Sequence, residues 1–194
     1  MTKELAKSAR RKKVAWGITG AGEMLTETLE VMKQMKLQYQ HVVDIQVYLS
    51  KAGSQVVKYY KINDDLRMSF DRVLVEVDSN SPFLAGWMQA GKFEFLLVAP
   101  ASSNTVAKIA GGICDTMLCN AVIMGLKALA SVYVMPTDYR EGTVYTKLPN
   151  GTRMKLRIRQ EDAKNAQKLS NMENLAVLER PSDICKVFAK HFST

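Results

Sequence analysis

The sequence predicts one α/β domain of the flavodoxin-like, three-layer kind: a parallel sheet with helices on both faces, followed by a C-terminal β-hairpin and further helices. Apolar runs of strand length alternate with helical patterns between residues 13 and 136, which is typical of a parallel sheet. Two of these runs end in turns rich in glycine or in hydroxyl side chains. The 194 residues, 47% of them apolar, suffice for one domain with a substantial core.

The first part of the chain alternates strand and helix. Buried strands are predicted for the apolar runs at residues 13–19, 41–49, 93–99 and 131–135. Helices are predicted from apolar residues at helical spacing in residues 25–35, 51–57, 81–91, 104–110 and 115–127. The stretch 66–81 stays ambiguous because it contains only one short alternating piece, RVLVEV.

After Tyr139 the pattern changes. Two alternating segments flank Pro149-Asn150-Gly151, which predicts a β-hairpin. In its second arm, apolar side chains alternate with the basic residues Arg153, Lys155, Arg157 and Arg159. A helix at about 160–171, a short strand NLAVLE and a final helix after Ser182 complete the chain. We expect residues 1–12 to form a basic arm and residues 13–194 to form a single domain, with 140–194 as its extension.

The net charge of +8 is concentrated in two segments. Residues 1–13 carry six Lys and Arg against one Glu, and residues 152–168 carry six against two acids. Such segments attract an anionic ligand, an acidic partner protein or nucleic acid, although solvated charge explains them as well. Because the remainder is near neutral, nucleic-acid binding is the least expected of these.

Several function classes are disfavoured by composition. Three cysteines without CxxC spacing and two histidines argue against a disulfide framework, a zinc or iron–sulfur site and a histidine triad. No apolar run approaches the roughly 20 residues of a membrane span, and no signal peptide is recognisable. We therefore expect a cytoplasmic protein without a metal or a membrane partner.

Three predicted strand ends carry distinctive residues, namely Thr19-Gly20-Ala21-Gly22, Ser50-Lys51 and Ala101 to Thr105. Ligands of open parallel sheets bind beyond the carboxyl ends of the strands, so these turns could form one crevice. Gly20 and Gly22 would let a phosphate approach backbone amides, but the G-x-G-x-x-G fingerprint is not met and a tight turn explains them as well. Ser50 is either a phosphate ligand or a plain helix N-cap.

The third turn is the most informative. Ser102, Ser103, Asn104 and Thr105 place donors and acceptors at four successive positions, where one or two would cap the next helix. The excess suits a planar heterocycle with a polar edge, such as a flavin or a pterin. An elaborate N-cap is the alternative.

Several motifs, in this order, resemble the flavoprotein superfamily that contains the phosphopantothenoylcysteine-type decarboxylases and the flavin prenyltransferases. They are ITGAG, SKAG, PASSNT at 100–105 and GGICDTMLCNAV. The resemblance implies bound FMN, with Gly20, Ala21 and Ser50 at its phosphate and Ser102 to Thr105 at its isoalloxazine ring. Thr19, Gly22 and Ala101 complete the implied cofactor-binding set. The resemblance also implies a homo-oligomer built from trimers, with FMN at subunit contacts.

Within this superfamily the chain is most similar to a redox branch. The decarboxylases use a His ahead of PASxNT, whereas residues 78–93 contain none, and MPTDYR replaces their substrate clamp. The prenyltransferases have Lys in place of Asn104. By contrast, AWGITGAGEML and the tail from residue 146 resemble the archaeoflavoproteins and, more closely, the acceptor-type dihydromethanopterin reductases.

That branch implies FMN-dependent reduction of a dihydropterin to the tetrahydropterin, with electrons from a separate donor, either a reduced nicotinamide or a redox protein. An FMN electron-transfer protein without substrate chemistry is the alternative. The catalytic residue stays unknown: no His is poised to supply a proton, so solvent or a tyrosine such as Tyr139 would supply it. The basic hairpin arm could attract the acidic tail of such a pterin or an acidic electron donor.

Overall fold

A computed structural model describes residues 11–193. The strands are β1 (Lys12–Ile18), β2 (Val43–Leu49), β3 (Arg72–Val75), β4 (Phe95–Ala101), β5 (Ser131–Pro136), β6 (Gly142–Lys147), β7 (Arg153–Ile158) and β8 (Leu175–Val177). The helices are α1 (Leu25–Gln38), α2 (Lys51–Tyr59), α3 (Asn63–Ser69), α4 (Leu84–Gln89), α5 (Ser103–Ala110), α6 (Met117–Lys127), α7 (Gln160–Leu169) and α8 (Asp183–Phe192). None of these helices is long and apolar enough to cross a membrane.

Six strands form one parallel sheet in the order β3-β2-β1-β4-β5-β8. The chain moves outward from β1 through β2 and β3, then returns to the other side of β1 as β4. The strand order therefore reverses between β1 and β4. Open parallel sheets bind ligands in the crevice beyond the carboxyl ends of two such strands. The strands β6 and β7 form a separate antiparallel hairpin.

Helices cover both faces of the sheet, so the three-layer α/β prediction is confirmed. Trp16, Val47 and Phe95 belong to the core beneath α1, α2, α3 and α8. Leu96 and Val134 belong to the core beneath α4, α5, α6 and α7. Neighbouring residues of one strand lie on opposite faces because side chains alternate along a strand, and burial on both faces explains the continuous apolar runs.

The differences from the sequence-based expectation that matter most for the site lie at β3 and at the end of β4. The ambiguous stretch contains the end of α3 and the strand β3, whose four residues pair with β2 at the edge of the sheet. The strand β4 continues through Pro100 to Ala101 instead of ending at residue 99. The register between β4 and β5 shifts between Val98 and Ala101, and such an irregularity accommodates a proline inside a strand.

The predicted hairpin forms around Gly151, which adopts a positive φ of 86°. In the second arm Ile158 is buried, whereas Met154 and Leu156 are 38% and 42% exposed. The described part of the chain therefore leaves most of the hairpin's apolar face uncovered. Of the predicted basic arm, residues 1–10 lie outside the described residues, and Lys12 already begins β1.

Candidate functional site

The two turns that flank the crevice are bonded directly to each other. The Thr19 hydroxyl donates to the carbonyl of Pro100 at 2.8 Å and accepts from the Ser102 amide at 2.8 Å. The Thr19 amide also donates to the Pro100 carbonyl, at 3.3 Å. One buried threonine thus fixes the glycine turn after β1 against the polar turn after β4.

The turn at Ser50-Lys51 lies beside the glycine turn. The Ser50 amide donates to the carbonyl of Ile18 at 3.0 Å. A Cβ on Gly20 would lie 2.8 Å from the Cβ of Ala52, and a Cβ on Gly53 would collide with the Ile18 carbonyl oxygen. Glycine at both positions is therefore what allows the first turn of α2 to approach the end of β1.

Two of the predicted serines, Ser50 and Ser102, are helix N-caps. Ser50 Oγ accepts from the Gly53 amide at 2.9 Å, and Ser102 Oγ accepts from the Thr105 amide at 3.4 Å and lies 3.2 Å from its hydroxyl oxygen. Each capping hydroxyl keeps additional hydrogen-bonding capacity. Ser103 and the exposed Asn104 are different, because neither side chain has a hydrogen-bond partner among the described residues.

These residues fit a flavin mononucleotide by the chemistry they offer. The amides of Gly20 and Ala21 find no acceptor within residues 11–193 and lie just before α1, which suits a phosphate. Ser103 and Asn104 offer the neutral donors and acceptors that the polar edge of a flavin ring needs. The carbonyl of Ala101 already accepts a hydrogen bond from the Thr137 amide at 3.0 Å. Ala101 therefore contributes to the site only through its position in the chain.

Sequence reasoning missed Glu76, which follows β3 and is only 8% exposed. Its two carboxylate oxygens accept, both at 2.9 Å, from the amides of Lys51 and Met117, the first residues of α2 and α6. A carboxylate is favourable at a helix N-terminus, and here one carboxylate serves two helices. Its only sequence signal is an acid at the end of the ambiguous RVLVEV segment.

Sequence reasoning also missed Glu23, which follows the glycine turn directly. Burial, reinforced by the carboxylates of Asp138 and Glu27, raises the pKa of Glu23. No cation pairs with it among the described residues. A carboxyl with a raised pKa beside a candidate site is one whose ionisation is opposed by its surroundings, which is a feature found at functional sites.

Neither histidine lies at the crevice. His41 is exposed in the loop before β2, at the opposite edge of the sheet. His191 Nε2 lies 2.9 Å from the Tyr133 hydroxyl and Nδ1 lies 3.3 Å from Glu94, which precedes β4. Within the described residues, the crevice therefore has no histidine that could act as a catalytic group.

Two of the four basic residues of the hairpin arm are paired with carboxylates in the structure. Arg159 is the N-cap residue of α7 and binds Asp162 through two hydrogen bonds of 2.8 Å and 2.7 Å. Arg157 lies 3.6 Å from Glu141. Arg153 and Lys155 are the arm's two cations without an ion-pair partner in the described residues.

The comparisons with known proteins identify the family. The profile of the flavoprotein family matches residues 2–191. The chain belongs to the flavoprotein family. An uncharacterised protein of Methanocaldococcus jannaschii is 46% identical over 92% of this chain and 95% of its own length. A dihydromethanopterin reductase (acceptor) of the same organism is 29% identical and is covered over 95% of its length.

A solved flavoprotein has the same fold. The crystal structure of Burkholderia xenovorans DmrB, in complex with FMN, superposes with a TM-score of 0.79 at 27% identity, over 95% of this chain and 97% of that one. That protein is described as a cubic protein cage for redox transfer. The resemblance inferred from PASSNT and ITGAG is therefore confirmed at the level of the family and the fold.

Proposed function

We propose that this flavoprotein binds FMN and reduces a dihydropterin to the tetrahydropterin, with electrons from a separate donor. Its likeness to a dihydromethanopterin reductase over nearly the whole chain supports the substrate class. The observation that carries the proposal is the pair Ser103 and Asn104, beside the glycine turn at the switch point of the sheet, whose polar side chains have no hydrogen-bond partner in the described residues.

The cofactor is held by neutral groups. The amides of Gly20 and Ala21 and the hydroxyl of Ser50 bind its phosphate, while Ser102 to Thr105 bind and orient its ring. FMN supplies the hydride chemistry, and the protein supplies binding, orientation and exclusion of water. Thr19 keeps the phosphate turn and the ring turn at a fixed separation through its bonds to Pro100 and Ser102.

A proton must also reach the pterin. The polar turn itself contains no titratable side chain, so the proton comes from solvent or from the loop after β5. That loop carries the half-buried Tyr139, whose ring lies 5.7 Å from the Arg140 guanidinium carbon. We assign proton delivery to the Tyr139 hydroxyl, with solvent as the alternative source.

The remaining partners follow from the surface. Arg153 and Lys155 attract the anionic tail of the pterin, and reversing both charges raises the KM for the pterin and weakens its salt dependence.

The exposed apolar residues Met154 and Leu156 favour a trimer-based homo-oligomer, in which a second copy covers them. The electron donor is a reduced nicotinamide or a redox protein, and the cytoplasm is the expected compartment.

An anaerobic half-reaction tests the proposal. The FMN-loaded protein is reduced chemically, freed of excess reductant and mixed with a dihydropterin. We expect reoxidation of the flavin with one tetrahydropterin formed per flavin. A protein that stays colourless after incubation with FMN, or a reduced flavin that is indifferent to the pterin, contradicts it.

A second function, electron transfer without substrate chemistry, is favoured by one observation. No titratable side chain occurs in the polar turn that would face the ring, so nothing there is dedicated to proton transfer. In the same experiment a carrier is reduced normally and passes its electrons to a redox protein but not to the pterin.

A further inference from the structure

A cavity of about 500 Å³ opens at the amino ends of the strands, at the edge opposite the crevice. Its cationic lining consists of Arg11, Lys12, Lys13, Arg72 and Lys92. These residues come from the starts of β1 and β3 and from the loop before β4, so the fold assembles them from separate parts of the chain. The cavity volume lies within the range of small-ligand sites.

The charge of this cavity is not balanced. Glu94 is its one acidic lining residue, and that carboxylate lies 3.1 Å from Lys12 Nζ and 3.3 Å from His191 Nδ1. Within residues 11–193, no carboxylate lies within ion-pair distance of the other four cations.

Two neighbouring acids, Asp71 and Asp44, form no ion pair with the lining cations in the described residues. Asp71, next to Arg72, lies 3.4 Å from Lys36 Nζ. Asp44 does not line the cavity, and its Oδ2 accepts from the side-chain Nε2 of Gln46 at 2.9 Å. Gln46 itself lines the cavity but is only 1% exposed and also accepts from the Tyr48 hydroxyl at 3.2 Å.

Concave clusters of like charge focus an electrostatic potential that concentrates counter-ions. Arginine and lysine together are the residues with which proteins bind phosphate groups. A single monovalent anion would leave most of the charge uncompensated, whereas a compound with several phosphates matches the four cations that have no carboxylate partner within residues 11–193. The partly exposed ring of Trp87 and the buried ring of Phe93 form an apolar part of the wall.

We propose that this cavity is a second ligand site of the protein, one that binds a small polyanion carrying two or more phosphate groups. The site is separate from the flavin crevice, because the seven residues of β4 hold the two edges about 23 Å apart. Its ligand therefore contacts neither the flavin nor the pterin.

Isothermal titration calorimetry of the full chain in the presence of FMN tests the proposal, with inorganic triphosphate as the probe. In about 150 mM salt we expect one triphosphate per chain, with a dissociation constant below about 100 µM. The double variant Arg72→Ala/Lys92→Ala weakens binding by at least about tenfold. The charge-preserving variant Arg72→Lys/Lys92→Arg retains binding within about threefold.

A matched control removes the same charge elsewhere. Lys164 and Lys168 are exposed on α7, and Lys164→Ala/Lys168→Ala leaves the affinity within about twofold. Equal weakening by the two alanine pairs would overturn the proposal, since binding would then follow net charge. Absence of saturable heat up to about 1 mM triphosphate, or displacement of FMN by the probe, would overturn it as well.

Discussion

The two edges of the sheet present opposite kinds of chemistry. At the carboxyl edge, the crevice is lined by hydroxyls, one amide and backbone N–H groups around Thr19 and Asn104. At the amino edge, the cavity is lined by five cations. Neutral hydrogen bonds require accurate positions and are insensitive to salt, whereas clustered charges tolerate small displacements and are screened. The difference teaches that one fold can place neutral hydrogen-bonding groups at one edge of its sheet and clustered charge at the other.

The same contrast holds for one carboxyl group at each edge. At the carboxyl edge, burial and neighbouring acids raise the pKa of Glu23. At the amino edge, burial acts in the same direction on Glu94, but hydrogen bonds from Lys12 and His191 outweigh it and lower the pKa of Glu94. Ionisation is thus opposed at the first position and favoured at the second.

The largest expected effect is on the geometry of the crevice. In Gly20→Ala the new methyl lies 2.8 Å from the Ala52 Cβ, so α2 and the glycine turn must separate. Overpacking of about 2 kcal/mol corresponds to roughly 30-fold weaker FMN binding, measured by fluorescence titration. In Gly125→Ala, the control, the methyl finds only ordinary contacts of 3.5 Å or more, and FMN affinity stays unchanged.

Asn104→Ala separates binding from stability. The exposed side chain has no partner among the described residues, so the unfolding temperature of the FMN-free protein stays the same. Loss of one or two hydrogen bonds to the ring weakens FMN binding by about tenfold. Unchanged affinity would show that the polar turn is only a helix cap and would remove the basis of the comparison.

Glu23→Gln sharpens the contrast in charge. Since the folded pKa of Glu23 is raised, the wild type loses stability as pH rises from the unfolded carboxyl value of about 4.3 through the raised folded value. The variant has no titratable group at this position. Its melting temperature therefore rises relative to that of the wild type as the pH increases through this range. It also binds the FMN phosphate about twofold more tightly at neutral pH, because one like charge is removed.

The smallest effect is expected for Glu94→Gln, with the opposite sign. The folded pKa of Glu94 is lowered, so its stabilising contribution is complete above the unfolded pKa and disappears as pH falls through the folded value. At neutral pH the variant melts at most about 3 °C lower, because the pair is partly exposed. The difference from the wild type vanishes in acid, and a difference that grows in acid would contradict the assignment.

The sequence by itself determined the alternation of strands and helices and the motifs that identify the family. Buried parallel strands require apolar runs, and helices that cover them require apolar residues at helical spacing. Both patterns are therefore visible in the local sequence. The turns Gly20 to Gly22 and Ser102 to Thr105 were recognisable because their composition exceeds what a turn or a cap needs.

Only the tertiary structure decided what depends on distance between remote residues. Glu76 joins two helices through amides 25 and 41 positions away, and Arg72 meets Lys92 and Lys13 at one cavity, with no local pattern to announce either. Hydrogen bonds and fields act through space, and strand order, which brings those residues together, is not encoded in any single segment.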